Sequence, residues 1–260
     1  MMRKSIHVNA KYEHLRTYLE NIPEEFEARG EVVYDLRNQV RVDEVSGVKI
    51  VIKSFRKIYL ANRIIYAYFR PSKAKRAYEY GLLLQDHGVN TPDPVAYIDC
   101  VENGMLKAGY FVSLYTDYQP LSAFDASDAD KARALLDGLA HFTMKLHQNR
   151  IFHEDYTLSN VLYQEVDGNF DFTVIDNNRL KFTSIDEKLA AKSLNRLGFQ
   201  PEMLTFLVRR YAEISGMDAL KELKLFYDYK YEANLKYKTK HKLKRLRNHL
   251  WQREKLKSPC

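Results

Sequence analysis

The sequence predicts an α+β protein of two lobes, a small antiparallel-sheet N-terminal lobe and a mainly helical C-terminal lobe. Three observations predict it. Short Val- and Ile-rich stretches crowd residues 31–55, helical spacing of apolar residues takes over from residue 128, and no internal repeat relates the two parts. A chain of 260 residues can bury a core in each of two lobes. The boundary is expected at the polar connector 116–119, giving a first lobe over 1–117, with a helical extension over 1–29, and a second over 118–260, with a basic tail over 235–260.

Residues 10–29 have helical character broken by Pro23, which predicts a helix, a break and a second short turn. After Gly30 the stretches 31–36, 39–45 and 48–55 read as three antiparallel strands, joined at Arg37-Asn38 and at Ser46-Gly47. Ser72 can cap a helix over 73–86 that Gly88, Pro92 and Pro94 close. Strands at 95–101 and 109–114 follow, with Glu102-Asn103-Gly104 as a turn between them. From 128 to 149, Leu135, Leu139, Phe142 and Leu146 recur at helical spacing, so a long helix buries one face. The segments 161–164 and 172–175 read as a hairpin around Asp167-Gly168-Asn169, and from about 185 onward the pattern is helical.

Composition narrows the class. With 45% hydrophobic and 29% charged residues, the chain has the apolar content to fold, which excludes wholesale disorder. Two cysteines, Cys100 and Cys260, cannot build a disulfide framework, which predicts a reducing, cytoplasmic setting. No run of eighteen apolar residues occurs and residues 1–9 lack a secretory apolar stretch, so neither a membrane span nor export by that route is expected. The net charge is +7, yet residues 235–257 alone hold ten Lys or Arg against one acid. The basic character therefore belongs to the tail.

Phosphoryl transfer requires a group that orients the acceptor hydroxyl, oxygen ligands for magnesium and a cation on the nucleotide phosphates, all in one cleft. Each occurs once in the right order. In the run from Ile151 through His153-Glu154-Asp155 to Asn160, an Asp is followed five residues later by an Asn, with apolar anchors on both sides. Asp155 would accept or orient the acceptor proton and Asn160 would bind metal through its side-chain carbonyl. Asp176, after Val174-Ile175, supplies a hard carboxylate ligand of the type magnesium takes. A single Asp is more often a turn or cap residue; the joint order, spacing and strand context overturn that reading. Lys53 lies on an apolar strand and Glu79 on the next helix, and together they would make the ion pair that holds a lysine on the α and β phosphates. Taken alone, each is as readily a solvated surface residue.

The set Lys53, Glu79, Asp155, Asn160 and Asp176 resembles the protein-kinase-like superfamily. Two further stretches, Tyr68-Phe69-Arg70-Pro71-Ser72-Lys73-Ala74 and Gly88-Val89-Asn90-Thr91-Pro92, are similar to the bacterial lipopolysaccharide kinase family, and Asp176-Asn177-Asn178-Arg179 is similar to its Asp-x-x-Arg. The resemblance spans roughly residues 30–182. It implies a protein-kinase-like fold, ATP and magnesium (Mg2+) as cofactors, and phosphorylation of a sugar hydroxyl, Kdo or heptose, of the lipopolysaccharide inner core. Its partner would be a lipid-anchored saccharide at the inner face of the inner membrane. The chain departs from protein kinases in three places. The first strand turn, Arg37-Asn38, has no Gly-x-Gly-x-x-Gly, Glu154 replaces the Arg of His-Arg-Asp, and no Ala-Pro-Glu follows Asp176. These departures turn the expectation away from regulated protein phosphorylation. His153 reads as a structural residue, Arg179 as the partner of an acid across the cleft, and Tyr115-Thr116-Asp117 as the connector at the adenine.

In the tail, Leu243, Leu246, Leu250 and Trp251 make an apolar stripe among Lys242, Lys244, Arg245, Arg247 and Arg253, a basic amphipathic helix suited to an anionic membrane surface. A solvated helix closing the second lobe is the competing reading, and nucleic acid, though electrostatically equivalent, is not the expected partner. Two other functional readings compete. One is a small-molecule or RIO-like protein kinase; the other is a pseudokinase scaffold whose tail does the binding.

Overall fold

The structure, a computed structural model, describes residues 2–56 and 58–257, and the side chains of 61, 236–237, 240–241, 243–244 and 246–257 fall outside that description. The stripe of Leu243, Leu246, Leu250 and Trp251 therefore lies outside the described residues.

The chain enters on strand β1 (Arg3–Val8), then a 3-10 turn (Ala10–Leu15), helices α1 (Arg16–Glu20) and α2 (Ile22–Glu25), and a second 3-10 turn (Phe26–Ala28). Pro23 sits in the first turn of α2, where its missing N–H has no partner to lose. Strands β2 (Glu31–Asp35), β3 (Gln39–Val45) and β4 (Val48–Ser54), helices α3 (Leu60–Tyr68) and α4 (Lys73–Asp86), and strands β5 (Pro94–Glu102) and β6 (Met105–Leu114) complete the first lobe. All the strands join one antiparallel sheet in the order β1-β5-β6-β4-β3-β2.

Two elements differ from the sequence expectation. Residues 3–8 belong to the sheet, not to a helical extension over 1–29: β1 pairs with β5 from Arg3↔Val101 to Val8↔Ala96 and caps an edge that would otherwise expose unpaired backbone. The stretch is polar apart from Ile6 and Val8, too short an alternation to be read without its partner. Helix α3 was not expected, because its apolar side chains stay exposed.

Strand alternation sorts the sheet into two faces. Ile50, Ile52, Tyr110 and Val112 point to one side, where Leu15, Leu19, Ile22 and Phe26 of the helical turns pack on them. The extension thus braces the back of the sheet. Val51, Lys53, Phe111 and Ser113 point to the other side and roof a cleft. The hairpins close at Ser46-Gly47, Asn103-Gly104 and Asp167-Gly168, each pair at positive φ, as tight turns matched to strand twist require.

The second lobe holds β7 (Gln119–Pro120), α5 (Ala129–Gln148), β8 (Ile151–His153), β9 (Val161–Val166), β10 (Asn169–Val174), β11 (Leu180–Phe182), α6 (Glu187–Asn195), α7 (Pro201–Ser215) and α8 (Ala219–Lys257). Asp128 caps α5 by accepting from the backbone N–H groups of Asp130 and Lys131, both at 3.0 Å. Leu135, Leu139 and Leu146 bury its apolar face in the main core. β8 pairs with β11, and β10, β9 and β7 form a three-stranded sheet. Among the described residues no helix is long and apolar enough to cross a membrane.

Glu222, in the first turn of α8, is 1% exposed and neither carboxylate oxygen has a hydrogen-bond partner. Burial pushes its carboxyl up to about 7. The group therefore folds readily when neutral and at a cost when ionised, and the cost grows as pH rises above its unfolded value. Glu222→Gln should raise the melting temperature at pH 8 and change it little at pH 4; an equal gain at both pH values would refute the role of charge.

Candidate active site

The roof strands and the second lobe enclose an apolar slot of about 420 Å3. Val40, Val42, Val51 and Phe111 line it above, and Leu162 and Ile175 below. Tyr115 and Thr116 of the connector border one side, and Lys53 and Asp176 stand at one end. A flat apolar slot with charge at one end suits a heteroaromatic base joined to phosphates.

Lys53 occupies the middle of the sheet, opposite Val40 on β3 and Phe111 on β6. Its Nζ pairs with Asp176 Oδ1 at 2.6 Å. The expected Lys53–Glu79 ion pair is not formed: Glu79 Oε1 lies 3.6 Å from Lys75 Nζ on its own helix, and the Glu79 side chain is 43% exposed. Helix phase explains the difference. Ala74, Ala77, Tyr78, Gly81 and Leu84, with Arg76, are the buried positions of α4, and Glu79 points away from the apolar ones; Lys73, Arg76 and Tyr80 line a second cavity, separate from the slot. Glu79→Gln should accordingly leave KM for ATP and kcat within about twofold, the ordinary result for an exposed i,i+4 partner. A tenfold loss in steady-state kinetics would show that the pair forms during turnover.

Asp155 follows β8 on a loop held by its own backbone. Asp155 N–H donates to His153 Nδ1 at 3.1 Å, and Asn160 Nδ2 donates to Asp155 O at 2.9 Å. Because Nδ1 accepts, Nε2 carries the ring hydrogen and donates to Ile175 O at 3.1 Å. His153 is buried, and burial holds its imidazole below the usual range, so it is neutral. It ties the catalytic-type loop to the strand end that carries Asp176, as a structural residue should. Ile175 N–H also donates to Asn160 O at 2.9 Å, which places Asn160 and Asp176 side by side.

The carboxylate of Asp155 accepts from Arg179 Nη1 at 2.9 Å and lies 3.8 Å from Arg196 Nη1. Arg179 thus pairs with an acid, as expected, but one on the adjoining loop of its own lobe and not across the cleft. Glu154, in place of an arginine, pairs with Lys181 at 2.5 Å and is held below the usual carboxylate range by that hydrogen bond.

Asp176 adopts a left-handed backbone, φ 61 and ψ 46, which aims its side chain back toward Lys53. Burial alone would favour the neutral acid, but the charge of Lys53 and its hydrogen bond hold Asp176 below the usual range. Asn178 Nδ2 also donates to Oδ1, so Oδ2 is the oxygen left for a metal. Asn160 spends its amide N–H on Asp155 O, so its carbonyl oxygen is likewise available. Two oxygen donors are what magnesium takes from protein when phosphates and waters complete its octahedron, so these residues fit the ion. Among the described residues no group of three or more His, Cys, Asp or Glu could hold a metal.

Three contributors escaped the sequence reading. Asn177 is buried and donates to Thr91 Oγ1 at 2.8 Å, which in turn donates to Val174 O at 2.8 Å, locking the turn after Ile175. Arg196 arrives from the end of α6, and Arg76 from α4. For Arg76 a signal existed, since Ser72 as the cap sets the helix phase and puts 73, 76 and 80 on one face.

The comparisons agree with this geometry. Among curated proteins none matches the chain. A solved structure described as "WaaP in complex with acyl carrier protein" superposes with a TM-score of 0.61 at 19% identity, over 88% of this chain and 98% of that one. That likeness carries the two-lobed fold. The model of the Lipopolysaccharide kinase (Kdo/WaaP) family matches residues 29–220, which take in the cleft and every residue placed around it above. The chain belongs to the lipopolysaccharide kinase (Kdo/WaaP) family.

Proposed function

We propose that the protein transfers the γ-phosphoryl group of ATP, with magnesium, to a sugar hydroxyl, Kdo or heptose, of the lipopolysaccharide inner core. The observation that carries this reading is the Lys53–Asp176 pair in the wall of the apolar slot, with Asn160 hydrogen-bonded both to Asp155 and to Ile175 beside Asp176. In it Lys53 meets the nucleotide phosphates, Asn160 and Asp176 hold the metal, and Asp155 takes the acceptor proton. Bound magnesium would supply charge neutralisation at the phosphates. The lobes divide at the connector, residues 1–117 and 118–260, and the slot lies between them.

Two features support an acceptor at a membrane surface. Leu60, Ile64, Tyr68 and Phe69, on or beside α3, are 66%, 46%, 67% and 82% exposed, an apolar arm beside the cleft. The sequence of the last helix is strongly basic, a character suited to an anionic leaflet. With only ten residues between Asp176 and the start of α6 at Glu187, little chain is present to cradle a peptide. Incubation with labelled ATP and either Kdo-lipid A or heptosylated lipid A tests the reading. Transfer to one of them, lost on addition of EDTA, is the expected result, and no transfer to either would reject it.

A further inference from the structure

The second cavity, of about 650 Å3, reaches Glu154 and Arg179 and shares no lining residue with the slot. Six cations line it: Arg37, Arg70, Lys73, Arg76, Arg179 and Lys181. One acid, Glu154, lines it with them. Arg179 is taken by Asp155 and Lys181 by Glu154. The other four make no ion pair with any acid among the described residues.

Solvated surface cations are common and need no explanation, but Arg76 is not one of them. It is 6% exposed, and its Nε has no hydrogen-bond partner. Burial, then the neighbouring Arg70, hold its guanidinium below the usual range. Lys73 is pushed the same way by burial and by Arg37, Arg179 and Arg76. Like charges gathered in a concave, half-buried site repel one another and lose hydration, a cost that a bound anion removes. Guanidinium groups match phosphate oxygens in fork geometry and hold their charge at any physiological pH.

We infer that this cavity binds a phosphate ester already carried by the acceptor, distinct from the hydroxyl that is phosphorylated, with Arg76 and Arg70 as its principal recognition groups. Tyr66, whose ring lies under the Arg76 guanidinium at 5.7 Å, and Tyr80 add aromatic surface with polar tips to the wall that an attached saccharide would meet. Arg179 belongs to this wall and touches Asp155, so an acceptor anchored here lays a hydroxyl beside that carboxylate. The inference rests on the kinase reading for the identity of the acceptor, but not for the binding of the anion.

The test uses the full chain and two variants, Arg76→Gln and Arg70→Gln. Arg70 is exposed, so its replacement leaves the core intact. Calorimetric titration with inorganic phosphate should show binding to the wild type that both variants weaken by about tenfold or more, the ordinary worth of a lost charged hydrogen bond. With lipid A bearing an inner-core saccharide as acceptor, removal of its phosphates should raise the acceptor KM by about tenfold or more for the wild type and have little effect on the variants. KM for ATP should stay within about twofold. Phosphate should compete with the acceptor and not with ATP. Phosphate binding undiminished in both variants would overturn the inference, as would competition with ATP, which assigns the cations to the nucleotide, or inhibition uncompetitive with both substrates, which assigns them to a regulatory site. If no acceptor is phosphorylated but titration gives the expected loss, the kinase reading fails and the anion site stands.

Discussion

Asp155→Asn lowers kcat by about two to four orders of magnitude and leaves KM for ATP within about twofold, the span that a positioned general base contributes. The substitution keeps the shape of the side chain and removes its basicity. The loop keeps its place, because the backbone of Asp155 is held by His153 at 3.1 Å and by Asn160 at 2.9 Å. What changes is charge. Arg179 loses an anionic partner 2.9 Å away, and an acceptor hydroxyl loses the carboxylate that would take its proton. Arg179 lies on the surface side, so the lost ion pair weakens stability only slightly. Steady-state kinetics with thermal unfolding of the same samples separates the two effects. Activity within tenfold of wild type in a folded variant would remove Asp155 from the chemistry.

Asp176→Asn is the second large effect. Asparagine tolerates the left-handed backbone at this position, so the turn survives. The carboxylate does not, and Lys53, whose side chain is only 17% exposed, is left without its partner at 2.6 Å. We expect kcat to fall by about 10²-fold or more, as for loss of electrostatic stabilisation at a transferring phosphoryl group, and the magnesium concentration for half activity to rise. Stability falls as well, and its pH dependence has a definite sign. Asp176 is held below its ordinary value of 3.8, so its contribution is complete above that value and is lost as pH falls through the lower, folded value. The stability gap between wild type and Asp176→Asn should therefore be constant from neutral pH down to about 5 and close on further acidification. Melting temperatures measured from pH 7 to pH 3 check this, and a gap that widened with acid would contradict it.

Much of the cleft is legible without coordinates because its parts are local. Asp155 and Asn160 sit five apart on one loop, and Asp176 ends a strand that hairpin chemistry alone identifies. The strand stretches 39–45 and 48–55 follow from apolar alternation and the Ser46-Gly47 turn, and the structure keeps them within a residue. Where partners are distant, the reading breaks down. Strand β1 depends on pairing with β5, some ninety residues on, and its own side chains carry almost no signal. Helix α3 keeps apolar residues exposed, contrary to the burial that sequence periodicity presumes. Glu79 was matched to Lys53 by type and order, whereas rotation of α4 about its axis decides which side chain enters the cleft.

By itself the sequence determines the two-lobed α+β class, the kinase-like order of Lys53, Asp155, Asn160 and Asp176, and the concentration of basic charge in the last helix. These rest on propensity, periodicity and spacing along the chain, which are short-range properties. Only the tertiary structure decides that Lys53 pairs with Asp176, that residues 10–28 brace the back of the sheet, and that Arg37, Arg70, Lys73 and Arg76 meet around one cavity. Those four cations come from a hairpin turn, an α3–α4 junction and one face of a helix. Their mutual repulsion exists only once folding brings them together, and no window of sequence holds it.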